Sequence, residues 1–214
     1  KVEGYAQYLF DAAVEQQPSS FSLMNAGATF GFPNVDSLVN GGEGYNYGLE
    51  LTVEKFFSRG YYFLATASLF QSKYRGSDDV WRNTAFNSNY VFNLLGGYEW
   101  DINDRHSLQF DGRVVLAGGR RYSEIDLEAS IDSGSEVRKD NRAFEWQYRP
   151  YFRPDIKISY VFEGKRATQK FSVDLQNFVG YQNIFDRTFN NRSGEIVTAY
   201  QIGFFPDVQY RILF

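Results

Sequence analysis

The last eleven residues, Phe204 to Phe214, read FFPDVQYRILF and alternate with a period of two. Val208, Tyr210, Ile212 and Phe214 fall on one face, and Asp207, Gln209 and Arg211 on the other. Successive side chains of a strand point to opposite faces, so this is a strand with one apolar face and one polar face. Leu213 is the only apolar residue on the polar side. Termini usually fray into polar residues, whereas this sequence ends on an aromatic residue with no polar tail. A soluble sheet can produce such alternation too, so the rest of the chain has to decide between the two solvents.

The same pattern recurs along the 214 residues. Strands are predicted at Val2–Phe10, Tyr45–Phe56, Tyr61–Tyr74, Asn89–Trp100, Ser107–Ala117, Tyr148–Phe162 and Gln169–Tyr181, followed by the terminal one. In the second, Tyr47, Leu49, Leu51 and Val53 oppose Gly48, Glu50, Thr52 and Glu54. The third, YYFLATASLF, is apolar on both faces for much of its length, and its facing stays ambiguous. Residues 15–44, 75–86, 118–147 and 183–198 are long polar connections rich in Gly, Ser, Asn or charge, and those at 58–60, 101–105 and 163–167 are short turns. Long and short connections therefore alternate, as in barrels with short periplasmic turns and long outer loops.

Composition fits that reading. Aromatics make up 19% of the chain while mean hydropathy is only −0.44, as expected where alternate residues face lipid and water. Phe56, Phe57, Tyr61, Tyr62, Tyr98, Trp100, Tyr160, Phe162 and Phe214 cluster beside the short turns. Tyr45, Tyr47, Tyr74, Tyr90, Tyr148, Phe152 and Tyr181 cluster beside the long loops. Two such groups are expected to form the girdles of a membrane barrel. No run approaches the ~18 apolar residues of a transmembrane helix. The absence of cysteine excludes disulfides and thiolate metal sites, and a net charge of −4 gives no reason to expect nucleic acid. The expected class is thus all-β, an antiparallel transmembrane β-barrel with about eight strands in this chain.

YNYGLELTVEKFFSRGYYFLATASLFQSKY resembles a late hairpin of the TonB-dependent outer-membrane receptors, especially those of the Bacteroidetes. GRRYSEIDLEAS, YRPYFRPDIKISYVFE, QKFSVDLQNFVGYQNIFDRTFN and the terminal strand continue the resemblance in order over nearly the whole chain. The single motifs are loose strand patterns, and their specificity lies in order and spacing. The resemblance implies that residues 1–214 are the C-terminal segment of a barrel of about 22 strands, with the plug domain, the coupling box and earlier strands before Lys1. It implies import of a nutrient across the outer membrane: a ferric chelate, glycan, peptide or vitamin. The implied partners are outer-membrane lipid and lipopolysaccharide, the plug and remaining barrel strands, the TonB complex and a surface lipoprotein. Val208, Tyr210, Ile212 and Phe214 then resemble the signal read during barrel assembly. The alternative is a complete eight-stranded barrel acting as a structural anchor or adhesin.

Candidate sites are few. Trp81, Arg120, Arg121, Tyr122 and Trp146 lie in outer loops and are residue types that binding surfaces favour. His106, the only histidine, is expected as a solvated residue of a short turn, remote from any nucleophile at the outer boundary, so no enzyme is expected. Asp78 with Asp79, and Asp126 with Glu128 and Asp132, could offer oxygen ligands to calcium. They lack a glycine-punctuated calcium loop and read as solvated loop charges, so neither metal nor cofactor is expected. The polar column of Glu50, Glu54, Asn93, Glu99, Gln109, Asp111, Arg113, Asp155, Lys157, Lys170, Asp174, Gln176, Gln209 and Arg211 has mixed signs. It either grips a plug or pairs with itself.

Overall fold

In a computed structural model that describes residues 1–28, 35 and 37–214, the chain is all-β and antiparallel. Its strands are β1 (Val2–Glu15), β2 (Leu38–Ser58), β3 (Tyr61–Arg75), β4 (Trp81–Asn83), β5 (Tyr90–Asn103), β6 (His106–Ala117), β7 (Arg121–Tyr122), β8 (Trp146–Gln147), β9 (Tyr151–Glu163), β10 (Thr168–Gln176), β11 (Ile184–Asn190), β12 (Glu195–Tyr200) and β13 (Phe205–Leu213). One α-helix, α1 (Leu127–Ser133), lies between β7 and β8, followed by a single 3-10 turn at Asp140–Arg142.

The main sheet runs β1-β2-β3-β5-β6-β9-β10-β13, with β4 attached to β3. It is a meander in which each long strand pairs with the one before it, because short turns join strands that must neighbour each other. The β2–β3 turn places Arg59 and Gly60 at φ 55° and 81°, two left-handed residues that match the twist of a tight hairpin. Among the described residues, β1 and β13 each pair along one edge only.

Register resolves the facing of β3. Leu69 pairs with Leu49 and Ala67 with Leu51, whereas Ser68 meets Glu50 and Thr66 meets Thr52. Tyr61, Phe63, Ala65, Ala67 and Leu69 therefore join the apolar face. That face then continues across the sheet in rows such as Tyr210–Phe171–Tyr160–Leu108–Trp100.

Among the described residues nothing covers this face. Leu94, Ile158, Val208 and Tyr210 are 54%, 44%, 61% and 60% exposed. On the opposite face Ser107, Asp155, Ser159, Val161 and Ser172 are buried. Polar side chains there bond over intervening strands. The Tyr62 hydroxyl donates to Asp111 at 2.7 Å across β5, and Lys170 donates to Gln109 at 2.5 Å across β9. Gly97 is the residue between Tyr62 and Asp111, and a Cβ there would collide with both. Side chains crowd on the polar face and stand free on the apolar one, the reverse of a sheet that folds around an oily core.

Most of the buried apolar residues lie instead at the long-loop end: Val14, Tyr74, Ala85, Ile125, Ala143 and Tyr148. Tyr74 is fully buried and donates to the Ser20 carbonyl at 2.9 Å, so it sits beneath the loops and not in an aromatic girdle. Tyr148 likewise belongs to the loops, and Tyr62 faces the polar side.

Several predicted boundaries move. β1 and β2 extend past Phe10 and start before Tyr45, because they pair with each other beyond a bulge at Asp11. β9 starts at Tyr151, just after Pro150, which has no N–H for the ladder. β10 stops at Gln176, because Asn177 turns left-handed at φ 49° and its side chain closes a turn onto Tyr181. The loops predicted at 118–147 and 183–198 contain β7, α1 and β8, and the β11–β12 hairpin.

Candidate functional site

At the long-loop end a cleft of about 320 Å³ is lined by Phe86, Arg120, Tyr148, Arg149, Tyr151 and Phe185, with backbone from Gly118 and Gly119. Its floor depends on those glycines. A Cβ at Gly118 would overlap the Ser88 carbonyl oxygen, and one at Gly119 would overlap that of Tyr148. Chain from the β3–β5 and β6–β9 connections can pass this closely only without side chains.

One wall is a stack of aromatic rings. β7 pairs with β8, placing Arg121 opposite Gln147 and Tyr122 opposite Trp146. Tyr122 lies parallel to Tyr148 with ring centroids 4.2 Å apart. The Arg187 guanidinium sits 5.9 and 5.8 Å from these two rings, a cation over two π faces. Its Nε is buried and meets no acceptor among the described residues. Arg138 ties this wall to the α1 loop by donating to the carbonyls of Ser123 at 3.1 Å and Arg187 at 3.0 Å. The other wall carries Arg149, which donates to the Gln182 carbonyl and lies 5.0 Å from the Tyr181 ring. Asn183 both accepts from the Phe152 amide and donates to its carbonyl, each at 2.9 Å, and so extends β9 with a side chain in place of a strand. Arg120 donates to the Ala28 carbonyl, and like Arg149 it forms no ion pair among the described residues. Two cations beside aromatic rings suit a polar ligand with anionic or π-rich groups.

Of the residues singled out in the sequence, Arg120 alone lines the cleft; Tyr122 stacks behind Tyr148, and Arg121, Trp146 and Trp81 lie outside the lining. Arg121 is a strut, since it donates to the Asn87 carbonyl at 2.9 Å, the Asn89 side chain at 3.0 Å and the Glu145 carbonyl at 3.2 Å. Trp146 packs under Arg142, 5.2 Å from its guanidinium. Trp81 lies on Tyr45 at 5.0 Å with Arg75 nearby, outside the cleft. Tyr148, Arg149, Tyr151 and Phe185 are not marked by the sequence, because the first three read as strand and nothing local distinguishes Phe185.

Of the candidate calcium carboxylates, Asp78, Asp79 and Asp126 have other duties, Asp79 pairing with Arg75 at 3.0 Å. Asp78 forms a two-pronged ion pair with Arg82 at 2.6 and 2.8 Å. Burial opposes ionisation of Asp78, but the bonds from Arg82 and the Val80 amide outweigh it and hold the carboxyl below its usual range. Asp126 caps α1 by accepting from the Ala129 amide at 3.1 Å. No three His, Asp or Glu side chains converge among the described residues. His106 is not a solvated turn residue. It opens β6 and stacks on Phe162 at 4.9 Å, with Nδ1 2.5 Å from the Tyr160 hydroxyl. The polar column is partly self-paired, with Asp155 held between Arg113 and Arg153, while Lys157, Asp174 and Arg211 form no ion pair among the described residues.

Burial, and after it the Asp186 carboxylate, push the Tyr148 phenol up to about 12. A phenol raised in the folded state stabilises the fold fully below its ordinary value of 10.0, and this stabilisation is lost as pH rises towards about 12. Proteolysis of the 118–147 connection is therefore expected to accelerate across that window, and Tyr148→Phe is expected to flatten the rise. Parallel pH profiles for the two proteins would show that Tyr148 is not the responsible group.

Comparison with protein families, curated proteins and solved structures returns no match.

Proposed function

We propose that this chain is a segment of an outer-membrane β-barrel of the TonB-dependent transporter type, whose outer loops bind a nutrient for import. The observation that carries this reading is the uncovered apolar face, continuous across eight paired strands and exposed in every row. Water is a poor solvent for such a face, and lipid is a good one. In a bilayer every backbone group must be paired within the protein, so a spanning sheet has to close. The free edges of β1 and β13 fit closure through further strands in a barrel of about 22, with the polar face lining the lumen. They fit less well with an anchor or adhesin barrel closed from these eight alone.

In this reading the unpaired Lys157, Asp174 and Arg211 offer contacts to a plug. The cleft at Arg120, Tyr148 and Arg149 is the first contact for substrate at the cell surface, next to lipopolysaccharide. The protein's work is differential binding and a gated change of shape driven through the TonB complex, without bond chemistry. Val208, Tyr210, Ile212 and Phe214 serve as the assembly signal on the terminal strand.

Topology tests the proposal. Protease sites inserted near Ser20, Ser77, Ser133 and Ser193 are expected to be cut on intact cells. Sites at Ser58, Asn103 and Lys165 are expected to be cut only after the outer membrane is opened. Cleavage of the second set on intact cells would overturn the orientation, and recovery of the protein in the soluble fraction would overturn the membrane reading.

A further inference from the structure

Polar side chains interrupt the apolar face at the short-turn end of β6 and β10, as Lys55 and Gln71 do on β2 and β3. At the short-turn end of β6, β9, β10 and β13, a groove of about 380 Å³ is lined by His106, Tyr160, Phe162, Gln169, Phe171 and Tyr210. Register sets His106, Phe162, Gln169 and Ile212 in one row, so two hydrogen-bonding side chains flank a phenylalanine where apolar residues are the rule. Each is oriented by a tyrosine. The Tyr160 hydroxyl lies 2.5 Å from His106 Nδ1, and the Tyr210 hydroxyl donates to Gln169 Oε1 at 2.8 Å. With Tyr160 donating to Nδ1, the neutral imidazole carries its proton on Nε2. His106 Nε2 and the Gln169 amide group are then left as donors, and neither meets an acceptor among the described residues.

Cations stand just beyond this row. Arg105 precedes His106, and Lys165 and Arg166 form the turn that leads to Gln169. The two turns are held together by the Glu163 amide donating to the Arg105 carbonyl at 2.8 Å. Arg105, Lys165 and Arg166 are exposed and form no ion pair among the described residues. Of the nearest carboxylates, Glu163 falls on the polar face by alternation and Asp104 lies in the turn, which leaves the rim net positive.

Along the strand direction the order is therefore cations, then neutral donors, then an aromatic groove. We propose that this site, which rests on the membrane reading above, binds one anionic phospholipid. Its phosphate oxygens accept from His106 Nε2 and the Gln169 amide beneath the turn cations, and an acyl chain lies along Phe171, Tyr160 and Tyr210. A phosphodiester supplies acceptors only, which matches a site that offers donors only. The aromatic groove adds an acyl-chain contact that free phosphate lacks.

The test uses the full-length protein that carries this chain, reconstituted in phosphatidylcholine vesicles with spin-labelled phosphatidylglycerol or spin-labelled phosphatidylcholine as the probe. The wild type is expected to immobilise the phosphatidylglycerol label in preference, by about fivefold for each engaged turn cation. Excess inorganic phosphate is expected not to displace it. The His106→Phe, Gln169→Leu double variant makes the face more apolar and should still insert, yet it is expected to lose the preference. Lys165→Gln with Arg166→Gln should reduce it, and high salt should do the same. Insertion with equal immobilisation of the two labels, displacement by inorganic phosphate, or a double variant that keeps the preference would each overturn the lipid site while leaving the barrel reading intact. Failure of the wild type to insert would overturn both.

Discussion

Residues 1–214 refolded in detergent-free buffer are expected to precipitate, and in detergent micelles to stay dispersed as mixed oligomers with a broad melting transition. The accessible surface is 13786 Å². A folded monomer of 24.7 kDa would expose roughly 10,000 Å² by the usual scaling. Much of the excess comes from a sheet with no second layer. Monomers rarely tolerate an apolar patch much beyond ~300–600 Å², and the rows from β1 to β13 form a single larger one. Micelles can cover the face but cannot pair the free edges of β1 and β13, and unpaired edges associate. Closure of the eight strands on themselves would crowd Asp111, Arg113, Lys157, Lys170, Asp174 and Arg211 into a narrow lumen. Static light scattering and the gel shift on heating distinguish these outcomes. A monodisperse monomer without detergent would defeat the membrane reading. A single heat-modifiable monomer in micelles would favour the eight-stranded anchor.

Asp155→Ala is expected to destabilise the main sheet by about 3 kcal/mol. That is the low end for breaking a buried pair, because Arg113 is half exposed and solvent screens part of the loss. Asp155 lies at the centre of the polar face, only 8% exposed. It accepts from Arg113 Nε at 3.0 Å and Nη2 at 2.5 Å, from Arg153 Nε at 2.9 Å and from the Asn177 amide at 2.8 Å. Alanine would strand two guanidinium groups and the backbone N–H that starts the turn after β10. Asn177 is itself 1% exposed, so that N–H has no water to fall back on. Asp155→Asn keeps an acceptor for Asn177 and is expected to cost less. Urea midpoints in lipid vesicles measure both. A shift for Asp155→Ala within the ~0.5 kcal/mol typical of surface substitutions would show that the cluster carries no stability.

The alternation of the sequence by itself determined the all-β class, the eight long strands and which residues of most strands share a face. This was legible because period two is a local property, written within each strand by its own residues. Short turns such as Ser58-Arg59-Gly60 also set the neighbours in the sheet, since a tight hairpin leaves no other partner. Where a strand is apolar on both faces, as at YYFLATASLF, local pattern is silent. Only pairing of Leu69 with Leu49 and Ser68 with Glu50 assigned the faces.

The loops were the least legible part, for a related reason. Arg121, a binding candidate by residue type, is a strut, because its guanidinium is consumed by the carbonyls of Asn87 and Glu145 far along the chain. Arg149, Tyr151 and Phe185 meet in the cleft from different parts of the chain, with Gly118 letting the β6–β9 connection pass against Ser88, and no spacing within one loop encodes that. His106 moved from turn to apolar groove because its neighbours Phe162 and Gln169 are supplied by β9 and β10. Sequence thus determined what each strand would present to either side, since that depends on residues two apart. Tertiary structure alone decided which loop and groove residues meet, since that depends on residues tens of positions apart brought together by the register of the sheet.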